Sequence, residues 1–410
     1  MKPTYRIPGL VVTEHELPAP LDHARLDGER ITVFAREVAA PDWLDRPFLV
    51  FFQGGPGHEA PRPTTAGGPE FLTRALTEFR VLLLDQRGTG RSSPVGALDG
   101  MTPQEQVDYL ANFRADSIVR DAELFRAALD VDRWSVLGQS FGGFCVLTYL
   151  SIAPEGLREA FFTGGLPPIG RSVDDVYCAT YARVLERCRR YYETFPEDRE
   201  LVHEIRGRVE AEDVRLPSGD RLTGRRLREL GHGLGMSDGL ETLHYILELP
   251  FGSPLFMHEL EAAAPFARHP LYAVIHEACY ADGGATRWSA ERLLPPEYAE
   301  DPTLFTGEHV YPWMFEDYGA LAPLREAAEL LAEHEWPRLY DPDRLAANEV
   351  PAAAAIYADD MYVERTFSEE TAARVRGLRP WITNEFEHNG LRADGSRVLG
   401  RLVDLARGKA

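Results

Sequence analysis

Cysteine, positive charge and long apolar runs are all scarce in this sequence, and each shortage excludes something. Four cysteines in 410 residues, Cys145, Cys178, Cys188 and Cys279, show no metal-ligand spacing and are too few to staple so long a chain. The expectation is buried, reduced thiols, no bound metal and a cytoplasmic location. Lysine and arginine together number 44 against 65 acids, a formal net charge of -21. That balance argues against nucleic acid and anionic membrane as partners. No apolar run reaches the length of a membrane span, and the opening M-K-P-T-Y-R-I-P-G-L lacks the apolar core of a leader peptide. Internal repeats and low-complexity tracts are missing as well. What is present is 44% apolar content, ample for one large domain or a core domain with an insertion.

The most informative stretch runs from Trp134 to Pro154, W-S-V-L-G-Q-S-F-G-G-F-C-V-L-T-Y-L-S-I-A-P. Trp134 to Leu137 suits a short buried strand, and Phe141 to Ala153 suits a helix that Pro154 stops. Ser140 falls between them in Gly138-Gln139-Ser140-Phe141-Gly142, the Gly-x-Ser-x-Gly pattern of a nucleophile elbow. Small residues let the chain turn sharply enough to lift the hydroxyl above a sheet edge. The alternative is a plain glycine-rich packing turn.

From the start of the chain, Leu10 to Leu17 and Arg30 to Val38 read as antiparallel strands at the sheet edge, joined through a turn near Asp27 and Gly28. Pro47 to Phe52 is almost wholly apolar and suits a central strand. It ends in Gln53-Gly54-Gly55-Pro56-Gly57, either an ordinary turn or a source of bare N–H donors for an oxyanion. Arg80 to Leu84 is another buried strand, and the charges of the loop Asp85 to Ser93 are expected to brace neighbouring loops. Ile118, Ala122, Phe125 and Leu129 then mark one face of a helix with Asp116 near its start, completing a βαβ unit with the Trp134 strand.

Three motifs in this order, Q-G-G-P-G at Gln53 to Gly57, D-Q-R-G-T-G-R-S at Asp85 to Ser92 and G-Q-S-F-G-G at Gly138 to Gly143, resemble the proline iminopeptidase family of α/β-hydrolases. The family's first motif opens on histidine, so Gln53 departs from it while the glycines are kept. The resemblance implies an α/β-hydrolase fold with a mostly parallel sheet and a large helical cap. The change in character after the turn Gly164 to Pro168 agrees, since the pattern becomes helical and rich in arginine, glutamate and aromatics. Core residues 1–168 and 336–410 are expected to flank a cap at 169–335.

Val350 to Tyr357 is the next core strand, followed by Asp359 and Asp360, and Ser368 with the two following glutamates opens a helix. A last strand, Trp381 to Phe386, leads to His388, and residues 391–410 finish the chain as a helix with solvent-facing Asp404 and Arg407. The order serine, acid, histidine is that of α/β-hydrolases. Asp360 is the preferred acid and Asp359 the alternative. The expected chemistry is attack by Ser140, proton transfer through His388 and orientation by Asp360, with the N–H groups of Gly55 and Phe141 on the oxyanion and no cofactor. The resemblance further implies acids that bind a substrate's free amine. Glu277 and Glu308 are the candidates, with Tyr280, Tyr311, Trp313 and Phe315 as pocket walls. The leading expectation is an aminopeptidase acting on peptides, preferably at N-terminal proline. A broader aminopeptidase or esterase of the same fold is the runner-up, and a non-catalytic binding relative comes third.

Overall fold

A computed structural model describes residues 3–410. Nine strands form one sheet: β1 (Thr4–Ile7), β2 (Leu10–Pro20), β3 (Arg30–Ala39), β4 (Phe48–Phe52), β5 (Arg80–Asp85), β6 (Trp134–Gln139), β7 (Leu157–Thr163), β8 (Ala352–Tyr357) and β9 (Leu378–Thr383). Their spatial order is β1-β2-β3-β5-β4-β6-β7-β8-β9. The first three run antiparallel to their neighbours, whereas β5, β4, β6, β7, β8 and β9 run parallel. The loops that follow β4 to β9 therefore all emerge on one rim, where open parallel sheets carry their sites.

The period of two along a strand explains how the sheet is covered. Phe48, Val50 and Phe52 of β4 enter one core with the helices Ala115–Ala128 and Phe141–Ile152. Leu49 and Phe51 enter a second core on the opposite face, closed by helix Gly395–Ala406. Both faces of β4 are buried, which is why its sequence shows no polar alternation.

The sheet edge differs from expectation. β1 lies outside β2, paired Thr4↔Thr13 to Ile7↔Leu10, and its four residues, of which only Ile7 is half-buried against the core, are too few and too exposed to carry an apolar pattern. The last strand is Leu378–Thr383 rather than Trp381 to Phe386, because its partner β8 ends at Tyr357 opposite Thr383. The helix expected from Ser368 begins at Arg365: Glu364 caps it through the Thr366 N–H at 3.2 Å, and the Ser368 hydroxyl donates to Leu166 O at 2.9 Å. Arg407 is not a free surface charge. It reaches Glu159 at 2.6 Å and also pairs with Glu78. The bracing role of the loop after β5 is plain in Arg87, whose buried guanidinium holds Asp121 and the carbonyls of Pro20, Leu21 and Asn112.

Between β7 and β8 the chain is helical, from Val173–Thr194 to Pro342–Ala346. This segment grips the rim. Arg183 of its first helix forms a bidentate pair with Glu364 at 2.7 and 3.0 Å, and Arg187 pairs with Glu387. Further along, Gly235 O accepts the His388 N–H at 3.2 Å, and Ser237 donates its N–H and hydroxyl to Asn389 Oδ1 at 3.0 and 2.6 Å.

Candidate active site

β6 ends at Gln139 and a helix begins at Phe141, so Ser140 alone makes the turn, with φ 53 and ψ -126. A non-glycine residue in that region is strained and persists only when its surroundings fix it. Here they do: a side chain at Gly142 would collide with the Phe52 carbonyl, and one at Gly138 with the Gly142 carbonyl, so strand and helix close to backbone contact. From the loop after β4, a Cβ on Gly54 would lie 2.9 Å from Ser140 Cβ, which brings the Gly54-Gly55 backbone over the serine. Phe141 is the first residue of its helix, so its N–H has no partner within the helix.

Asp360 and His388 meet across the ends of β8 and β9. His388 Nδ1 lies 2.8 Å from Asp360 Oδ2, and Asp360 Oδ1 accepts the N–H groups of Tyr362 and Val363 at 2.8 and 3.0 Å. Asp360 is 1% exposed and His388 5%, whereas Asp359 is exposed. Burial opposes a charged imidazole, but the Asp360 carboxylate and its hydrogen bond outweigh burial and raise the His388 pKa above the ordinary value, with Glu308 adding to the rise.

Glu308 belongs to this group. Its carboxylate accepts the Tyr272 hydroxyl and lies 3.7 Å from His276 Nε2, while His276 Nδ1 meets the Tyr177 hydroxyl at 3.1 Å. Burial would raise its pKa, yet His276, His232 and the Tyr272 hydroxyl hold it down to about 2. Tyr280 is close by, edge-on to Phe144 at 5.3 Å, with its hydroxyl 3.3 Å from Tyr362 O. The Tyr362 ring lies 4.7 Å from that of His388.

The other expected pocket residues make a different set of contacts. Glu277 Oε1 accepts the Ala290 N–H at 2.9 Å, its second oxygen has no hydrogen-bond partner among the described residues, and burial raises its pKa against the hydrogen bonds it accepts. Tyr311 shares a hydrogen bond with Tyr181 at 2.9 Å and stacks on Trp313, and Phe315 packs edge-on against Trp288. None of these contacts involves Ser140, Asp360 or His388. Sequence reasoning missed Tyr272, His276, His232 and Tyr362. A signal existed for two of them: Tyr272, His276 and Tyr280 recur every four residues and share one face. Glu277, one position on, faces elsewhere.

A buried parallel sheet with a strained serine turn on its rim, and a buried histidine–aspartate pair on that same rim, defines a hydrolase of the α/β class. The α/β-hydrolase fold family matches residues 47–204. Along nearly its whole length the chain is 49% identical to a proline iminopeptidase of Aeromonas sobria, over 98% of each chain. It is 33% identical to proline iminopeptidase aneH of Aspergillus aculeatus, over 96% of this chain and 93% of that one. A proline iminopeptidase of Neisseria gonorrhoeae matches only 37% of this chain and 42% of its own, at 28% identity. The chain belongs to the proline iminopeptidase family.

Proposed function

We propose that this enzyme removes an N-terminal residue, preferably proline, from peptides by serine catalysis. The observation that carries the reading is the strained Ser140 turn on the same rim as the 2.8 Å His388–Asp360 contact. In this reading Ser140 Oγ attacks the carbonyl of the first residue as His388 Nε2 takes its proton. The tetrahedral oxyanion is held by the Gly55 and Phe141 N–H groups, each worth about 3 to 4 kcal/mol. Collapse breaks the C–N bond, His388 gives the proton to the leaving amine, and water then hydrolyses the prolyl ester by the same route in reverse.

Glu308, ionised at any working pH, binds the substrate ammonium, and Tyr280 supports the ring beside it. Residues 169–335 act as the cap that carries these groups over the rim, and the free thiols fit a cytoplasmic site of action. Among the described residues no helix is long and apolar enough to cross a membrane.

The deciding experiment compares a Pro-arylamide with its N-acetyl form, and adds Ser140→Ala. Fast cleavage of the free amine, almost none of the acetylated substrate and loss of turnover and of covalent serine labelling in the variant are expected. Equal rates on both substrates would instead indicate an esterase-like enzyme of the same fold, and undiminished turnover by Ser140→Ala would remove the nucleophile assignment.

A further inference from the structure

Three consecutive residues at the end of β5 each tie down a different piece of the rim. Asp85 accepts the Ala60 and Arg91 N–H groups at 3.1 and 3.0 Å, and Arg87 holds Asp121. Gln86, between them, reaches across to the loop after β4, where its Nε2 donates to the Gln53 carbonyl at 2.9 Å. Its own backbone is fixed in turn, since the Gln86 carbonyl accepts the Thr89 N–H at 3.0 Å and the Thr89 hydroxyl at 2.7 Å. Gln86 is 1% exposed, and its Oε1 has no hydrogen-bond partner among the described residues. The amide is therefore desolvated for that one bond. An apolar side chain of the same length would fill the space without leaving a buried acceptor unpaired, so packing alone does not call for an amide here.

The carbonyl it holds stands at a critical point. The pairing of β4 with β6 ends at Phe52↔Gly138, so Gln53 is the first residue of the loop beyond the ladder. After it the backbone runs through Gly54 and Gly55, the latter with φ 121. Two glycines in succession offer little resistance to rotation of the peptide plane between them, and such a rotation would redirect the Gly55 N–H. This is also where the loop crosses the nucleophile, since a Cβ on Gly54 would lie 2.9 Å from Ser140 Cβ and 3.0 Å from the Gln139 carbonyl. A donor to an oxyanion acts only if it is already aimed when the charge develops.

We propose that Gln86 is a positioning residue for the oxyanion: by fixing the Gln53–Gly54 peptide it sets the direction of the Gly55 N–H. The inference rests on the serine-hydrolase reading above, with Gly55 as a donor. It separates two kinds of support for the reaction. Gln86 serves the oxyanion that forms on any acyl substrate, amide or ester, whereas Glu308 serves substrates with a free amine.

The test uses Gln86→Met, which keeps the length without a donor, and Gln86→Glu, which keeps the shape and puts an acceptor where the donor was. In both, kcat on Pro-arylamide should fall by roughly 10- to 100-fold, the scale of a slightly misplaced group, and a simple ester should lose about the same factor. Two inhibitors separate aim from general damage. Pyrrolidine-2-boronic acid takes Ser140 Oγ onto boron, giving a tetrahedral adduct with an oxygen in the oxyanion position, whereas prolinol carries the same ring amine and no carbonyl. The inhibition constant of the boronate should rise by about the factor that kcat loses, and that of prolinol should stay within about threefold. Both constants belong to the folded fraction, so partial unfolding does not imitate the result. Equal weakening of the two inhibitors, a kcat within about threefold of wild type, or failure of both variants to fold overturns the proposal. A wild type that neither cleaves Pro-arylamide nor binds the boronate would instead reject the reading on which it rests, so the two failures are distinguishable.

Discussion

Glu308 and Glu277 both lie in the helical segment beside tyrosines and a histidine, yet their surroundings make opposite demands on a carboxyl group. Around Glu308, two imidazoles and a phenol offset the cost of burial, and the acid is stabilised as an anion. Around Glu277, one backbone N–H and small dipoles offset burial only in part, and the carboxyl is pushed toward its neutral form. Proximity to aromatics is common to both. What separates them is which face of the Tyr272 to Tyr280 turn each one joins, and so whether His388 feels its charge.

The His388 side should be most sensitive at its own acid. Asp360→Asn is expected to lower kcat on the order of 10⁴-fold, with a far smaller loss for the exposed Asp359→Asn, measured by steady-state kinetics. The reverse ranking would move the orienting role to Asp359. Next, Glu308→Gln should depress kcat/KM for free-amine substrates by about 30-fold or more and affect simple esters much less. Glu277→Gln should stay within about threefold on both, and a matching 30-fold loss there would erase the contrast.

A subtler difference lies in pH. The base form of His388 is neutral, and its pKa is raised, so the acidic limb of kcat/KM should fall above the usual histidine value of about 6.5. Glu308 favours the protonated imidazole, so Glu308→Gln should move that limb to lower pH, by less than about one unit. Glu277→Gln should leave it in place. A limb that moves upward in Glu308→Gln would contradict the sign.

Legibility in the sequence tracked how local each constraint is. The Ser140 turn, β4 and β6 were readable because strand, turn and helix signals are contiguous there. Asp360 and His388 were reachable from chain order. The edge strand β1 was invisible because an exposed edge needs no apolar pattern, and the start of helix Arg365–Arg374 was displaced because Glu364, not Ser368, supplies its cap. That Glu277 and Glu308, both candidates for the amine, sit in different surroundings depends on which residues of distant segments face each other. Arg407 looked solvent-facing for the same reason, since its partners Glu78 and Glu159 lie far away in sequence.

The contacts from Gly235 and Ser237 to His388 and Asn389, with the Arg187–Glu387 pair beside them, bear on how such an enzyme can be rebuilt. A helical insertion is usually treated as an exchangeable module, to be trimmed or swapped for a new specificity. Here the helical segment between β7 and β8 supplies part of the scaffolding of the loop that carries His388, so a graft that ends short of residue 235 or omits Ser237 is expected to release that loop. Recombination with relatives should therefore keep residues 235–237 and 387–389 together as one inherited block.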